Sequence, residues 1–420
     1  MNALSRFRKA TPVFVIAFVL AWFALSPPAQ AVVPPPDGGY PGQNTAEGQD
    51  ALLHLAGGLY NTAVGWASLG YDTDGTYNTA LGAGALLRNT SDRNTATGCG
   101  ALLSNTTGTN NTADGAFALF NNTTGFHNTA IGLQALLNNT IGSNNTATGL
   151  NALVSNTQGN YNTATGDSAL YGNTSGERNT GSGVSALASN TSGFANTAVG
   201  YFALNENTTG VYNTAVGYNA LLHHTTGSTN TALGIGACAA VTTASNVTCI
   251  GASTYGENVN GTAWIGNVYG VTTQSGTTAP VIVSDNGQLG TVASSKRFKK
   301  DVANMGKASE AIMSLRPVTF HYKTDTKGTP QFGLIAEEVA KVSPALVLPD
   351  KDGKPYTVRY EAVNAMLLNE FLKEQKKMQE QGATIARLEK QIEALTAGLQ
   401  KVSVHLELSE LAPQTVLNNQ

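Results

Sequence analysis

Charge is the first thing this sequence lacks. Charged residues make up 12% of the 420 residues, about half the share usual in globular domains. Between residues 32 and 293 the basic side chains are limited to Arg88, Arg93 and Arg178, and only from Lys296 onward does the chain become rich in charge. A net charge of −3 without a basic stripe argues against a nucleic-acid partner.

Cysteine and paired carboxylates are also scarce. The three cysteines have no histidine cluster beside them, so the sequence predicts no zinc site, no other metal site and no cofactor. Cys238 and Cys249 are eleven residues apart, a spacing equally consistent with a disulfide and with two buried free thiols. Acidic residues such as Asp114 and Asp167 are scattered, whereas a glycosidase needs two carboxylates facing one cleft.

Residues 1–31 have the pattern of a secretory signal. Basic residues precede an apolar run from Pro12 to Leu25, and Ala29-Gln30-Ala31 supplies small residues for cleavage. The apolar run is shorter than the ~20 residues needed to cross a bilayer, which disfavours the alternative of an uncleaved anchor. We therefore expect a secreted or cell-surface protein, with a Pro/Gly-rich linker at 32–43.

Glycine, at 46 residues, is abundant, and a 17-residue repeat accounts for much of it. The unit N-T-A-x-G-x-x-A-L-x-x-N-T-x-G-x-x is complete at residues 128–144. Its first asparagine is assigned to positions 44, 61, 78, 94, 111, 128, 145, 162, 179, 196, 213, 230 and 246, which gives steps of 17 with two of 16.

Such a unit is too short for a helix pair, and its fixed glycines and asparagines would break a helix. We predict a parallel β-solenoid over residues 44–250, in which each coil holds two short strands and two turns. Glycine and asparagine would supply the positive-φ positions, and stacked asparagines would bond along the axis. One Leu and two Ala per coil make a thin core, which favours a trimer of identical chains. The repeats resemble the head coils of trimeric autotransporter adhesins and the shafts of phage tail fibres.

After a β-rich neck at 251–293, the chain changes character. The segment Ser294-Ser295-Lys296-Arg297-Phe298-Lys299, together with Arg316–Phe320, Phe332–Val339 and Tyr360, resembles the intramolecular chaperone of endosialidase tail spikes. The resemblance implies a nucleophile at Ser294 and its general base at Lys299, with Ser295 standing where the family has Asp. It also implies an α+β chaperone domain at 294–362 that assembles three chains and then cuts itself off.

The residues around Ser294 suit that chemistry. A serine hydroxyl needs a base to take its proton, and a lysine serves only when burial or nearby positive charge favours its neutral form. Lys296, Arg297 and Lys300 supply such charge. A solvated basic linker is the alternative, and the downstream motifs disfavour it.

The last predicted element is a helix over residues 363–402, followed by a tail at 403–420. Phe371, Met378, Ile385, Ile392 and Leu399 recur at one heptad position, and Leu388, Leu395 and Val402 at the other, which predicts a coiled coil.

The sequence thus predicts a mainly β, homotrimeric, adhesin-like fibre whose only enzymatic activity is self-cleavage. Surface glycans or a receptor are conceivable partners. The alternatives are a structural or phage-derived shaft without a receptor, and a carbohydrate-binding or -degrading spike. A released transcription factor would need a basic segment before Ser294.

Overall fold

A computed structural model describes residues 40–271, 277–284, 286–350 and 352–410. The predicted signal at 1–31 lies outside these residues. The chain forms two compact units, residues 1–276 and 277–420. Within the described ranges, no helix is both long and apolar enough to span a membrane.

The first unit is a parallel β-solenoid, as predicted. Fourteen strands of three residues pair only with their sequence neighbours, in the order β1 to β14. Their bounds are Thr45–Glu47 (β1), Thr62–Val64 (β2), Thr79–Leu81 (β3), Thr95–Thr97 (β4), Thr112–Asp114 (β5), Thr129–Ile131 (β6), Thr146–Thr148 (β7), Thr163–Thr165 (β8), Thr180–Ser182 (β9), Thr197–Val199 (β10), Thr214–Val216 (β11), Thr231–Leu233 (β12), Thr248–Ile250 (β13) and Ala263–Ile265 (β14).

Each coil has one strand, so the prediction of two strands per coil is wrong. The rest of the coil runs through tight turns, because its repeated small residues leave room for the backbone to bend. Left-handed conformations occur where the sequence did not suggest them. In the coil that begins at Asn128, Gln134, Leu136 and Asn144 have φ of 59°, 53° and 60°, besides Gly132 at 124°.

The two repeated glycines serve different purposes. Gly132 has the positive φ that the sequence predicts. Gly125, by contrast, is not in the left-handed region, and it must be glycine because a Cβ there would lie 2.3 Å from the carbonyl oxygen of Gly142 in the next coil. Close stacking of coils, rather than backbone freedom, fixes this second glycine.

The solenoid core is a narrow column of small side chains. The middle strand residue, such as Ala130, points inward, and the Ala-Leu pair, such as Ala135 and Leu136, fills the rest of the interior; all three are fully buried. The outer strand residues, Thr129 and Ile131, face solvent on the other side because side chains alternate along a strand.

The last predicted repeat is off by one residue. Strand pairing places Thr248 beside Thr231 and Cys249 beside Ala232, so Val247, and not Asn246, occupies the place of the repeated asparagine. Asn246 instead has φ of 58°, like Thr229 at the equivalent position of the preceding coil. The backbone N–H of Val247 still donates to Asn230 Oδ1 at 2.8 Å, which continues the hydrogen bonding by one more coil.

Asparagines stack in two columns, and they bond differently. In the first column the Oδ1 of each asparagine accepts the backbone N–H of the next, as from Asn145 to Asn128 at 3.0 Å. In the second column side chains bond to one another, as from Asn139 Nδ2 to Asn122 Oδ1 at 2.8 Å. Each Nδ2 of this column also donates to a turn carbonyl, for example that of Gly142. The predicted asparagine ladder is therefore confirmed most fully at the second asparagine of the repeat.

Cys238 and Cys249 form a disulfide, with Cα atoms 5.5 Å apart. Cys249 replaces the inward alanine of β13 and Cys238 the core leucine, so both sulfurs lie in the buried column. Cys99 is free and exposed.

The second unit consists of small elements. Antiparallel hairpins pair Ile282–Val283 (β15) with Leu289–Gly290 (β16), Val318–Phe320 (β17) with Gln331–Gly333 (β18), and Val347–Pro349 (β19) with Pro355–Val358 (β20). The helices are Ala336–Val342 (α1) and Tyr360–Glu410 (α2), with 3₁₀ turns at Lys296–Phe298, Gly306–Ser314 and Pro344–Leu346.

These elements match the sequence prediction closely, with two differences. The helix predicted from Ala308 to Leu315 is a 3₁₀ helix, and α2 extends beyond 363–402 at both ends. The buried apolar residues of the described part of this unit are Val339, Leu346 and Val358, from α1, a 3₁₀ turn and β20.

Candidate functional site: the Ser294 segment and its domain

Ser294 and Lys299 flank a single turn of 3₁₀ helix, Lys296–Phe298. The backbone N–H of Lys299 donates to the carbonyl of Lys296 at 3.0 Å and closes this turn. The side chains of Ser294 and Lys299 are exposed, and within the described segment 286–350 no hydrogen bond joins them. The turn keeps the two residues close in sequence and space, and their roles as nucleophile and base stay a prediction.

Arg297 does not interact with Ser294 or Lys299 through any described hydrogen bond. Its guanidinium lies over the ring of Phe298, 4.6 Å from the ring centre. Because Phe298 is itself 63% exposed, this pair forms a cationic and apolar surface beside Ser294.

The conserved-looking motifs downstream come together in the fold. Arg316 precedes β17, where Pro317 favours an extended backbone, and its guanidinium forms two hydrogen bonds to Glu338 in α1, from Nε at 3.1 Å and Nη2 at 2.5 Å. These bonds hold the pKa of the Glu338 carboxyl below its usual value. The pair joins two motifs that lie 22 residues apart in sequence.

Tyr360 makes a second such connection. Its hydroxyl accepts the backbone N–H of Leu334 at 3.0 Å and lies where a Cβ on Gly333 would be only 2.8 Å away. The glycine of the Phe-Gly-Leu motif therefore leaves room for the tyrosine at the start of α2. Arg316, Glu338, Leu334 and Tyr360 together fix β17, β18, α1 and α2 as one domain.

A buried polar cluster, which sequence reasoning missed, ties the 3₁₀ helix Gly306–Ser314 to α2. Ser309 is fully buried; its Oγ donates to Glu370 Oε1 at 2.5 Å and accepts from Asn369 Nδ2 at 2.7 Å. Lys373 Nζ lies 2.7 Å from Glu370 Oε1 and 3.5 Å from Ser309 Oγ. No local pattern signals this cluster, because its members are about 60 residues apart and meet only after folding.

This cluster is not a second Ser–Lys dyad. The hydrogen bond to Glu370 raises the pKa of Lys373 above its usual value, so the amine stays protonated. The same bond, with that from Ser309, lowers the pKa of Glu370. A protonated lysine cannot accept a serine proton, so the cluster positions α2.

Much of this unit's apolar surface is uncovered in the single chain. Phe332 is 81% exposed and Tyr356 74%. All predicted heptad residues of α2 are exposed too, namely Phe371, Met378, Ile385, Leu388, Ile392, Leu395, Leu399 and Val402.

Among the described residues there is no group of His, Cys, Asp or Glu arranged to hold a metal ion. Nothing in the solenoid gathers acidic side chains into a cleft within residues 40–271.

Comparison with known families places the C-terminal domain. Residues 294–348 match the family model described as chaperone of endosialidase (peptidase S74), and the match begins at Ser294 itself. The predicted resemblance is confirmed over these residues. No curated protein and no solved structure matches the chain.

Proposed function

Starting from a C-terminal domain of the endosialidase-chaperone type, we propose that this protein is an exported, homotrimeric fibre of the tail-fibre or adhesin kind. The chaperone aligns three chains and then releases itself by cleavage at Ser294, with Lys299 as the base. The solenoid and the chaperone domain together fit a trimeric tail-fibre or spike-like protein.

The exposed apolar surface of the second unit supports the trimer. Three buried apolar residues are far too few to stabilise a domain of this length, since each contributes about 1.5–3 kcal/mol against the entropy of ordering. The exposed heptads of α2 are the surface that partner helices would cover. A second and third copy of the chain would bury both.

Register explains why a fibre of this kind needs a chaperone. A solenoid that looks alike every 17 residues can pair with a neighbouring chain one coil out of step at little cost. A C-terminal coiled coil would hold the three ends level before the shafts associate.

The proposed cleavage requires only Ser294, Lys299 and water. Lys299 Nζ accepts the hydroxyl proton while Ser294 Oγ attacks the carbonyl carbon of an adjacent peptide bond. The proton then passes to the leaving amine, and water hydrolyses the ester. Because both side chains are exposed in the single chain, the desolvation that favours a neutral lysine would come from partner chains, so cleavage follows assembly.

Mass spectrometry of the purified full-length product tests this proposal. We expect a C-terminal fragment that starts at or next to Ser294, and an intact chain for Ser294→Ala and for Lys299→Ala. Ser295→Ala and Lys300→Ala are matched controls, since they change the neighbouring serine and lysine and should still be cut. Cleavage at the same bond in Ser294→Ala would refute the mechanism.

Export and surface binding form the remaining part of the proposal. The pattern of residues 1–31 supports a cleaved signal, and the N-terminus of the secreted product tests it. Binding of the cleaved shaft to a glycan array would distinguish an adhesin from a purely structural fibre.

A further inference from the structure

The outer surface of the solenoid carries two adjacent columns whose character changes along the rod. One column is the last residue of each strand, called here the fourth-position column, and the other is the residue after the following glycine, the sixth-position column. In the coils of β10 to β14 these columns contain only uncharged residues, nearly all of them apolar. Six exposed members define the apolar patch: Val199, Tyr201, Tyr218, Leu233, Ile235 and Ile250.

The same columns are interrupted by charge nearer the N-terminus. Asp114 ends β5 in the fourth-position column, and Asp167 follows β8 in the sixth-position column; both are exposed. Neither forms an ion pair within the described residues. Their positions matter because every chain of a symmetric assembly presents the same residue at the same level.

We propose that the apolar patch is the surface through which the shafts of three copies of this chain contact one another, and that the contact is restricted to the coils of β10 to β14. This inference rests on the proposed homotrimer and identifies the face that each shaft presents to its partners.

Identical copies are the occupant that the surface favours. In a parallel, in-register trimer, equivalent residues face each other around the axis, so an apolar column meets an apolar column. At the level of Asp114 or Asp167 the same arrangement would bring three carboxylates together, which costs free energy unless water separates them. The uncharged coils can therefore close against one another while the charged coils keep solvent between them.

The size and stiffness of the patch fit such a contact. Its half-exposed side chains offer roughly 500–700 Å² of apolar surface per chain, near the ~800 Å² per partner of a stable interface. Tyr201 and Tyr218 stack in parallel, with ring centres 5.4 Å apart, so the aromatic part of the patch is already ordered. Little side-chain entropy remains to be lost when a partner covers it.

Single cysteines placed in the full-length chain test the proposal directly. Cys99→Ser removes the exposed free thiol and leaves the Cys238–Cys249 disulfide intact. In that background we compare Ile235→Cys in the patch with Leu133→Cys, which is in the same column at the coil of β6, and with Thr226→Cys on another exposed surface of the coil that contains Tyr218. A short bifunctional maleimide reagent then reports which thiols face each other between chains.

We expect Ile235→Cys to give roughly tenfold more cross-linked pairs than Leu133→Cys or Thr226→Cys, because facing thiols in an assembly have a high effective concentration. Light scattering on the same samples reports the number of chains. If the protein is trimeric and Ile235→Cys cross-links no better than Thr226→Cys, the assigned face is wrong while the homotrimer stands. Equal cross-linking at Leu133→Cys overturns the restriction to the C-terminal coils, and a monomeric protein overturns the trimer and this inference together.

Discussion

Asp72 and His224 occupy the same column of the solenoid, at opposite ends of a run of eight buried asparagines. The run comprises Asn89, Asn105, Asn122, Asn139, Asn156, Asn173, Asn190 and Asn207. Asp72 Oδ2 accepts from Asn89 Nδ2 at 3.4 Å, at the end where the ladder needs an acceptor. At the other end, His224 Nε2 interacts with the carbonyl of Gly227 at 2.8 Å, in the place of an asparagine amide.

The two ends differ in how well they satisfy the ladder. Asp72 also accepts the backbone N–H of Gly75 at 2.8 Å and the side chain of Asn78, so its carboxylate is well bonded. His224 offers no donor to Asn207, and Asn207 Oδ1 is left as a buried oxygen without a partner among the described residues. Both terminal residues are ionisable and fully buried, which makes the solenoid sensitive to pH.

Asp72→Asn is expected to stabilise the solenoid near neutral pH. Burial raises the pKa of Asp72 from 3.8 to about 6, and the nearby Asp92 adds to the rise. A pKa that is higher in the folded state gives stability that is full below the unfolded value and is lost as pH rises through about 6. Replacing the charge by a neutral amide should gain on the order of 1–2 kcal/mol at pH 7.5 and little near pH 4.

Thermal unfolding of wild type and variant at several pH values checks this prediction. Asp74→Asn is the matched control, since Asp74 is exposed in the same turn and its neutralisation should leave the midpoint nearly unchanged. A wild-type midpoint that stays constant from about pH 4 to 7.5 would contradict a buried carboxyl with a raised pKa.

His224→Asn is expected to complete the ladder. The asparagine amide could donate to Asn207 Oδ1, as Asn207 Nδ2 donates to Asn190 Oδ1 at 2.8 Å, and should stabilise by about 1 kcal/mol. Burial lowers the pKa of His224, so the neutral ring gives stability that is present above its unfolded value and is lost as pH falls. The variant should therefore gain most under acidic conditions, opposite to Asp72→Asn.

The neighbouring His223 supplies the control for this measurement. It is exposed and pairs with Glu206 at 3.2 Å, so His223→Asn should change the unfolding midpoint little. Should His224→Asn destabilise the solenoid at pH 5, the imidazole would have to be making a better contact than the amide, and the ladder explanation would fail.

A chain ending at residue 293 should express as aggregate or unfolded monomer. Without residues 294–410 the shafts lose the helix and chaperone that would bring three copies into register, and long parallel pairings form slowly. Gel filtration of the truncated chain beside full-length Ser294→Ala checks this. Soluble, correctly assembled trimer from the truncated chain would remove the case for a chaperone.

Cleavage should change refolding more than it changes resistance to unfolding. Once the chaperone leaves, the shaft is protected by its unfolding barrier, and it has no nucleus with which to reassemble. We expect the cleaved shaft to survive detergent and heat at least as long as the uncleaved Ser294→Ala trimer. After complete denaturation only the uncleaved protein should recover its trimer band on a gel. Equal recovery of both forms would reduce cleavage to simple trimming.

The repeat by itself determined the fold of the first unit. A fixed spacing of 17 residues with Ala and Leu at constant positions can bury those side chains only if successive coils stack in register, and strand pairing of Thr45 with Thr62 and Ala46 with Ala63 shows that register. The Ser294 motif likewise identified the chaperone, because its chemistry requires particular residue types close together in sequence.

The tertiary structure decided what depends on distant neighbours. Whether Asn246 or Val247 stacks on Asn230 is set by strand pairing, since both residues suit a turn. The pairing of Cys238 with Cys249 required their side chains to meet in one buried column. Ser309, Asn369 and Glu370 meet only because α2 packs against a 3₁₀ helix some 60 residues earlier. Sequence spacing carries local geometry, whereas these contacts arise from the three-dimensional path of the chain.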